Sequence, residues 1–200
     1  MADQVTSFGS NITADESTLT KSSSQVMSMK DAGTTSAKMG FELMEVVASS
    51  VLTGTASAIT ISDLDLDTDR HYLILLDAIS SGTAGWDNIV MTVNADTTAT
   101  NYAHQSFQAS HTTLTGNRAN NGTIASLYTA IPFSYRIRLS KYTGKIAQAT
   151  SRGTSRADVS NITLFDFSWM WTGTANITSI TLTNSEDFAA GTKVTVLKVG

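Results

Sequence analysis

The stretch ITSITLTNSEDFAAGTKVTVLKV, Ile177 to Val199, decides the fold. Ile177, Ser179, Thr181 and Thr183 alternate with Thr178, Ile180, Leu182 and Asn184. A period of two in mostly β-branched residues predicts a strand. Asn184 to Asp187 carry turn chemistry, Phe188 offers an apolar anchor, Gly191 breaks the run, and Val194, Val196 and Leu197 begin a second strand. Two strands need partners elsewhere in the chain, because an unpaired edge leaves a row of open N–H and C=O groups. The expectation is a sheet into which this segment is stitched.

Working outward, the same period recurs. Asn161 to Trp171 (NITLFDFSWMW) places Phe165, Phe167, Trp169 and Trp171 on one face. Large aromatics so placed are expected to be core, with a subunit interface or a sugar-stacking platform as the other uses. Thr123 to Ala130 and Phe133 to Leu139 are two more strands, separated by Pro132, and in the second Arg136 and Arg138 alternate with Tyr135, Ile137 and Leu139. Leu43 to Ala48, Ala58 to Ser62, His71 to Ile79 and Trp86 to Asn94 complete the set. Tyr72 to Leu76 is apolar on both faces, as in a strand at the centre of a sandwich. About nine or ten short strands without a βαβ rhythm predict an all-β antiparallel sandwich, jelly-roll-like.

Residues 103–122 (AHQSFQASHTTLTGNRANNG) show weak period and end in Asn-Asn-Gly, which reads as a long surface loop; His104, Phe107, His111 and Arg118 are its candidate ligand residues. Residues 1–40 are polar and Ser/Thr-rich, with Val5, Phe8, Ile12 and Leu19 among scattered apolar positions. A segment so poor in apolar groups does not order itself. The domain expectation is an extended N-terminal arm, 1–40, docking on its own body, a sister subunit or another protein, and a sandwich over 41–200.

Composition narrows the function classes. The 200 residues hold no Cys, so disulfides and thiolate metal sites are excluded. Met1 to Ser10 shows neither the basic start nor the apolar run of a secretory signal, and no apolar run approaches a membrane span. The net charge of −4 hides an asymmetry: residues 1–100 carry 13 acids and 4 bases, residues 101–200 carry 4 acids and 9 bases. Either the fold mixes the halves, or an acidic patch on one copy meets a basic patch on the next. Arg136, Arg138, Lys141 and Lys145 are the basic candidates for partner contact. Without aromatic interleaving, and in an acidic chain, they do not predict nucleic-acid binding.

Asp63, Asp65, Asp67 and Asp69 alternate, so an extended backbone would place four carboxylates on one face, as a calcium site or as a solvated acidic turn. An EF-hand needs Gly and Glu where Thr68 and Ile74 stand. His104 and His111 have no zinc spacing. No H-E-x-x-H, G-x-S-x-G, G-x-x-x-x-G-K or G-x-G-x-x-G occurs, so no motif supports hydrolase or nucleotide chemistry and no cofactor is expected.

Tyr72 and Leu75 in one strand, then IVMTVNADTTATNY at Ile89 to Tyr102, Trp171, and the closing strand, Phe188-Ala189-Ala190-Gly191-Thr192 turn and strand form an order that resembles small β-sandwich virion proteins of tailed bacteriophages. Lys198 and Val199 depart from the Tyr and Gly of such endings. The resemblance covers roughly Phe41 to Val199 and implies a non-enzymatic structural protein at the virion surface. A capsid decoration or cement protein is the first form: a homo-oligomer, a trimer, bound to the major capsid protein or another virion protein through arm and oligomer contacts, with neither membrane nor nucleic acid as partner. A head-fibre or tail module that binds host glycans is the alternative.

Overall fold

The computed structural model describes residues 19–21, 27–29, 44–83, 85–110, 113–129, 131–158 and 161–199. Two units divide the chain, 1–43 and 44–200. In the first, the described residues form an antiparallel pair, β1 (Leu19–Lys21) and β2 (Met27–Met29), with Leu19 opposite Met29. Val5, Phe8 and Ile12 lie outside the described residues.

The second unit holds β3 (Met44–Val51), β4 (Ala56–Ile61), β5 (His71–Ala78), β6 (Trp86–Val93), β7 (Tyr102–Ser110) and β8 (Thr113–Ala119). β9 (Thr123–Tyr128), β10 (Phe133–Lys141), β11 (Ala147–Asp158), β12 (Asn161–Trp171), β13 (Ile180–Phe188) and β14 (Lys193–Val199) follow, and α1 (Leu66–Asp69) is a single helical turn. Eight of these strands form a jelly roll. One sheet begins β3-β14-β5-β10 and the other is β4-β13-β6-β9, all antiparallel, so the chain passes back and forth between layers in two nested Greek keys. The other four strands continue the first sheet past β10, giving the order β3-β14-β5-β10-β11-β12-β7-β8. They arrive as two separate hairpins, β7–β8 after β6 and β11–β12 after β10.

The period-two strands bury the faces expected of them. Tyr72, Ile74 and Leu76 of β5, Ile137 and Leu139 of β10, and Val194 and Val196 of β14 meet Ile89, Met91 and Val93 of β6 and Ile180 and Leu182 of β13. Each such side chain contributes roughly 1.5–3 kcal/mol on leaving water. β5 is indeed central, between β14 and β10, while Leu73 and Leu75 on its other face are half-buried. The aromatic stripe of β12 is core, at 2–5% exposure.

Three local readings are corrected. Residues 103–122 are not a loop: β7 and β8 form a hairpin at the sheet edge, paired Ser110–Thr113 through His104–Ala119. Its strands lack an apolar alternation because their inner face carries His104, Ser106 and Gln108, so backbone pairing shapes them instead. Asn184 to Asp187 are not the turn: β13 runs on to Phe188 through an irregular stretch with Asp187 at φ +60. Asp87, buried on β6, holds that stretch by accepting from Ser185 Oγ and from Glu186 N at 3.3 Å. The chain reverses instead at Ala189–Thr192, where Gly191 sits at φ +87. A third miss is β11, whose inner face is Ala149, Ser151, Gly153 and Ser155.

Those small residues have a packing reason. A Cβ on Gly153 would lie 2.5 Å from the Tyr135 ring and 2.6 Å from the Ser134 carbonyl oxygen. The Tyr135 hydroxyl caps the open edge of β9, accepting from Ser126 N at 3.3 Å and donating to Ser126 O at 2.5 Å. Ser155 Oγ accepts from Tyr128 N on the same edge. Burial pushes the Tyr135 phenol above its ordinary value, which favours the protonated form that donates this bond. Tyr135→Phe leaves both groups of Ser126 without their partner and is expected to cost about 1–3 kcal/mol in urea denaturation, with little change in packing.

Asp96 closes the β6–β7 connection. Its carboxylate accepts from Trp171 Nε1 and Asn101 Nδ2, each at 2.8 Å, and from Thr98 N at 3.0 Å. These bonds, Trp171 foremost, hold its pKa down to about 2 from an ordinary 3.8. A depressed carboxyl stabilises the fold fully above its unfolded pKa and loses that contribution as pH falls towards the folded one. The advantage of the native chain over Asp96→Asn is therefore expected to be present at neutral pH, to shrink below about pH 4 and to vanish near pH 2 in denaturation curves. A pH-independent difference would contradict the assignment.

Candidate functional site

The added strands create a cleft. Because the large sheet continues beyond β10 and curls past the β9 edge, the inner face of β12-β7-β8 comes to lie against the outer face of β6 and β9. Register fixes which side chains meet: Trp169, His104 and Ala119 form one cross-strand row, Phe167, Ser106 and Asn117 the next, and Phe165, Gln108 and Thr115 the third. One wall is His104, Ser106, Gln108 and Asn117; the other is Asn88, Asn121, Thr123 and Ser126. Phe165 and Phe167 supply the floor, and the enclosed volume is about 180 Å³. Trp86 packs beside the floor, its ring 5.5 Å from Phe165 and 5.4 Å from Tyr128, both edge-on.

The candidate ligand residues of the presumed loop are thus divided by strand alternation. His104 is on the inner face, 5% exposed and 6.2 Å from the Phe167 ring. Phe107 and Arg118 are on the outer face, where Phe107 stands opposite Gly116 and Arg118 opposite Gln105. Arg118 borders a shallow depression of about 410 Å³ with Gln105, Gln148, Ser168 and Met170. His111 lies outside the described residues. The cleft residues Asn88, Asn117 and Asn121 were not legible as a group, since they come from three segments that meet only through the β12–β7 pairing.

The outer face of the large sheet is banded. Val46, Leu197 and Leu73 line up across β3, β14 and β5, and the next residue in that row is Arg138 of β10. Met44, Val46 and Val51 are each more than half exposed. Arg136 and Arg138 are exposed, and among the described residues neither has a carboxylate partner. Arg152, across from Arg136, is paired with Asp166 at 2.5 Å. Being exposed, that pair adds little stability.

Lys145 is exposed in the β10–β11 turn, whereas Lys141 is buried at 2% exposure with its ammonium on Asp67. Lys141 therefore belongs to the interior and adds nothing to the basic face. Its partner comes from the acidic segment, which is not extended: α1 turns the four carboxylates apart. Asp65 caps α1, accepting from Thr68 N at 3.1 Å and Thr68 Oγ at 2.8 Å, bonds that lower its pKa. Asp69 pairs with Lys198 at 2.5 Å and accepts from the Tyr72 hydroxyl at 2.5 Å. Burial first, and then this bond to Asp69, raise the Tyr72 phenol. Each carboxylate but Asp63 is thus committed to protein donors, and no three acidic or imidazole groups among the described residues converge as a metal site would require.

No protein-family model, no curated protein and no solved structure matches this chain. The three features with chemistry to offer are the neutral cleft, the banded outer face and the neutralised acidic turn.

The last of these is structural and can be tested as such. Asp67→Asn leaves the Lys141 ammonium buried without its counter-charge and is expected to cost about 3 kcal/mol in chemical denaturation. Adding Lys141→Met removes that stranded charge, so the double variant is expected to regain most of the loss.

Proposed function

We propose that this chain is a non-enzymatic virion structural protein that decorates or cements a capsid. The observation that carries the reading is the outer face of the large sheet, where exposed Met44, Val46 and Val51 of β3 lie across β14 and β5 from the exposed Arg136 and Arg138 of β10. Met and Arg are favoured at interface centres, and exposed apolar residues gathered on one face mark a surface that another molecule covers. The resemblance of the closing strand, Phe188–Thr192 turn and strand to phage sandwich proteins supports the virion context.

In this reading the second unit self-associates as a trimer through that face, and the segment 1–40 lies across neighbouring subunits or the capsid protein. Repetition by symmetry makes many modest contacts add up to a firm attachment. The face predicts a definite response. Val46→Asp together with Arg136→Glu is expected to convert an oligomer into a monomer in light scattering while leaving the fold intact by circular dichroism. Deleting residues 1–40 is expected to abolish co-sedimentation with capsids stripped of the protein, while the remainder stays folded. A wild-type monomer, or undiminished capsid binding by the truncated chain, contradicts the proposal.

A further inference from the structure

We propose that the cleft between β6–β9 and β7–β8 binds a neutral saccharide, one ring of a glycan seated between its two polar walls. The inference is independent of the capsid role, which uses the opposite face of the large sheet.

The cleft lining contains amides, hydroxyls, one imidazole and two phenyl rings, and no Asp, Glu, Lys or Arg. A phosphate, carboxylate or ammonium entering it would give up hydration without meeting a counter-charge. A wholly apolar ligand would strip water from the walls and return no hydrogen bonds. A pyranose does neither. Its ring hydroxyls both donate and accept, as do the amides of Asn88, Gln108 and Asn117, and its C–H faces are apolar like the Phe165–Phe167 floor.

The walls also hold hydrogen-bonding capacity that the protein leaves open. Among the described residues, the side chains of Asn88, Ser106, Gln108 and Asn117 make no hydrogen bond; Asn88 donates only its backbone N–H, to Asp87 Oδ1. His104 is buried, yet its Nδ1 has no partner among them. Buried polar atoms are nearly always satisfied, so His104 Nδ1 calls for water or a ligand to complete it, and the exposed Asn88 and Asn117 and half-buried Ser106 and Gln108 stand around it.

Size selects the unit. At about 180 Å³ the cleft is well below the roughly 300–1,000 Å³ that encloses a drug-sized molecule. It holds one ring, and the remainder of the glycan leaves between the exposed Asn88 of one wall and Asn117 of the other.

The test is an array of neutral hexose and N-acetylhexosamine oligosaccharides beside sialylated and sulfated ones, probed with the full chain, then calorimetry with the best neutral binder. Binding is expected to favour neutral members and to persist as salt is raised, because no ion pair is involved. Asn88→Ala and Asn117→Ala, both at exposed positions that leave the fold intact, are each expected to weaken it about tenfold. Thr150→Ala, on the outer face, is expected to leave it unchanged. A folded protein that binds no neutral glycan, prefers acidic ones, or binds equally well in both asparagine variants overturns the proposal. Capsid co-sedimentation by the same variants separates this result from the structural role.

Discussion

Everything in the second unit depends on how the edge of β9 is satisfied. As the last strand of the smaller sheet, β9 presents open backbone groups on one side, and it is also buried on both faces, with Ile124, Ala125 and Leu127 fully enclosed. An edge buried without partners would be costly. Tyr135 and Ser155, from the larger sheet, reach it with hydroxyls, and this requires that sheet to turn the corner around β9. Gly153 is where the turn is made possible, since no side chain fits beneath the Tyr135 ring. Once the sheet has turned, β12 can lay its aromatics over the outer side of β9, and β7 and β8 follow by pairing.

This arrangement separates stability from surface chemistry. The eight jelly-roll strands contain the aliphatic core, while the added strands carry large aromatics below and small polar residues above. Charged interior groups are handled locally: Lys141 by Asp67, and the β13 irregularity by Asp87. A buried pair such as Lys141–Asp67 is not a strong source of stability compared with an apolar replacement, but it orients α1 against the end of β10. Charge is thereby kept out of the cleft and concentrated on the opposite face of the same sheet.

The parts of this fold that announce themselves in the sequence are those where one face is aliphatic or aromatic. β6, β10, β12 and β14 show the alternation, because the core demands Ile, Leu, Val or aromatic residues at every second position, and β5 shows an unbroken apolar run, Tyr72 to Leu76. β11 is hidden since its inward positions, Ala149 to Ser155, must be small to admit Tyr135. β7 and β8 are hidden since their inward positions face a wet cleft, where polar residues are at home. The cleft was therefore invisible because the residues that would have marked the strands as buried are replaced by polar ones, His104, Ser106 and Gln108. His104 was found as an isolated imidazole, but nothing in its neighbours along the chain pointed to Asn88 or Ser126. The acidic segment misled in the other direction, because a one-turn helix breaks the two-residue period that four alternating aspartates suggest.

The pairing of β7 with β12 joins two hairpins made far apart along the chain, Ala103 meeting Met170 and Ser110 meeting Thr163. A newly made β7–β8 hairpin has nowhere to dock until β11 and β12 exist, and these in turn need β10 in place beside β5. Such distant pairings come late, since the entropy of closing a long loop is lost before any contact rewards it. The jelly roll's own closing pairs, Val46 with Leu197 and Ile59 with Leu182, span still more chain, so loop closure sets the core sheets no earlier than the overhang. In the finished molecule β8 is an edge strand with Thr113 to Arg118 exposed, so local opening begins there, and the cleft wall it carries is the first feature to loosen.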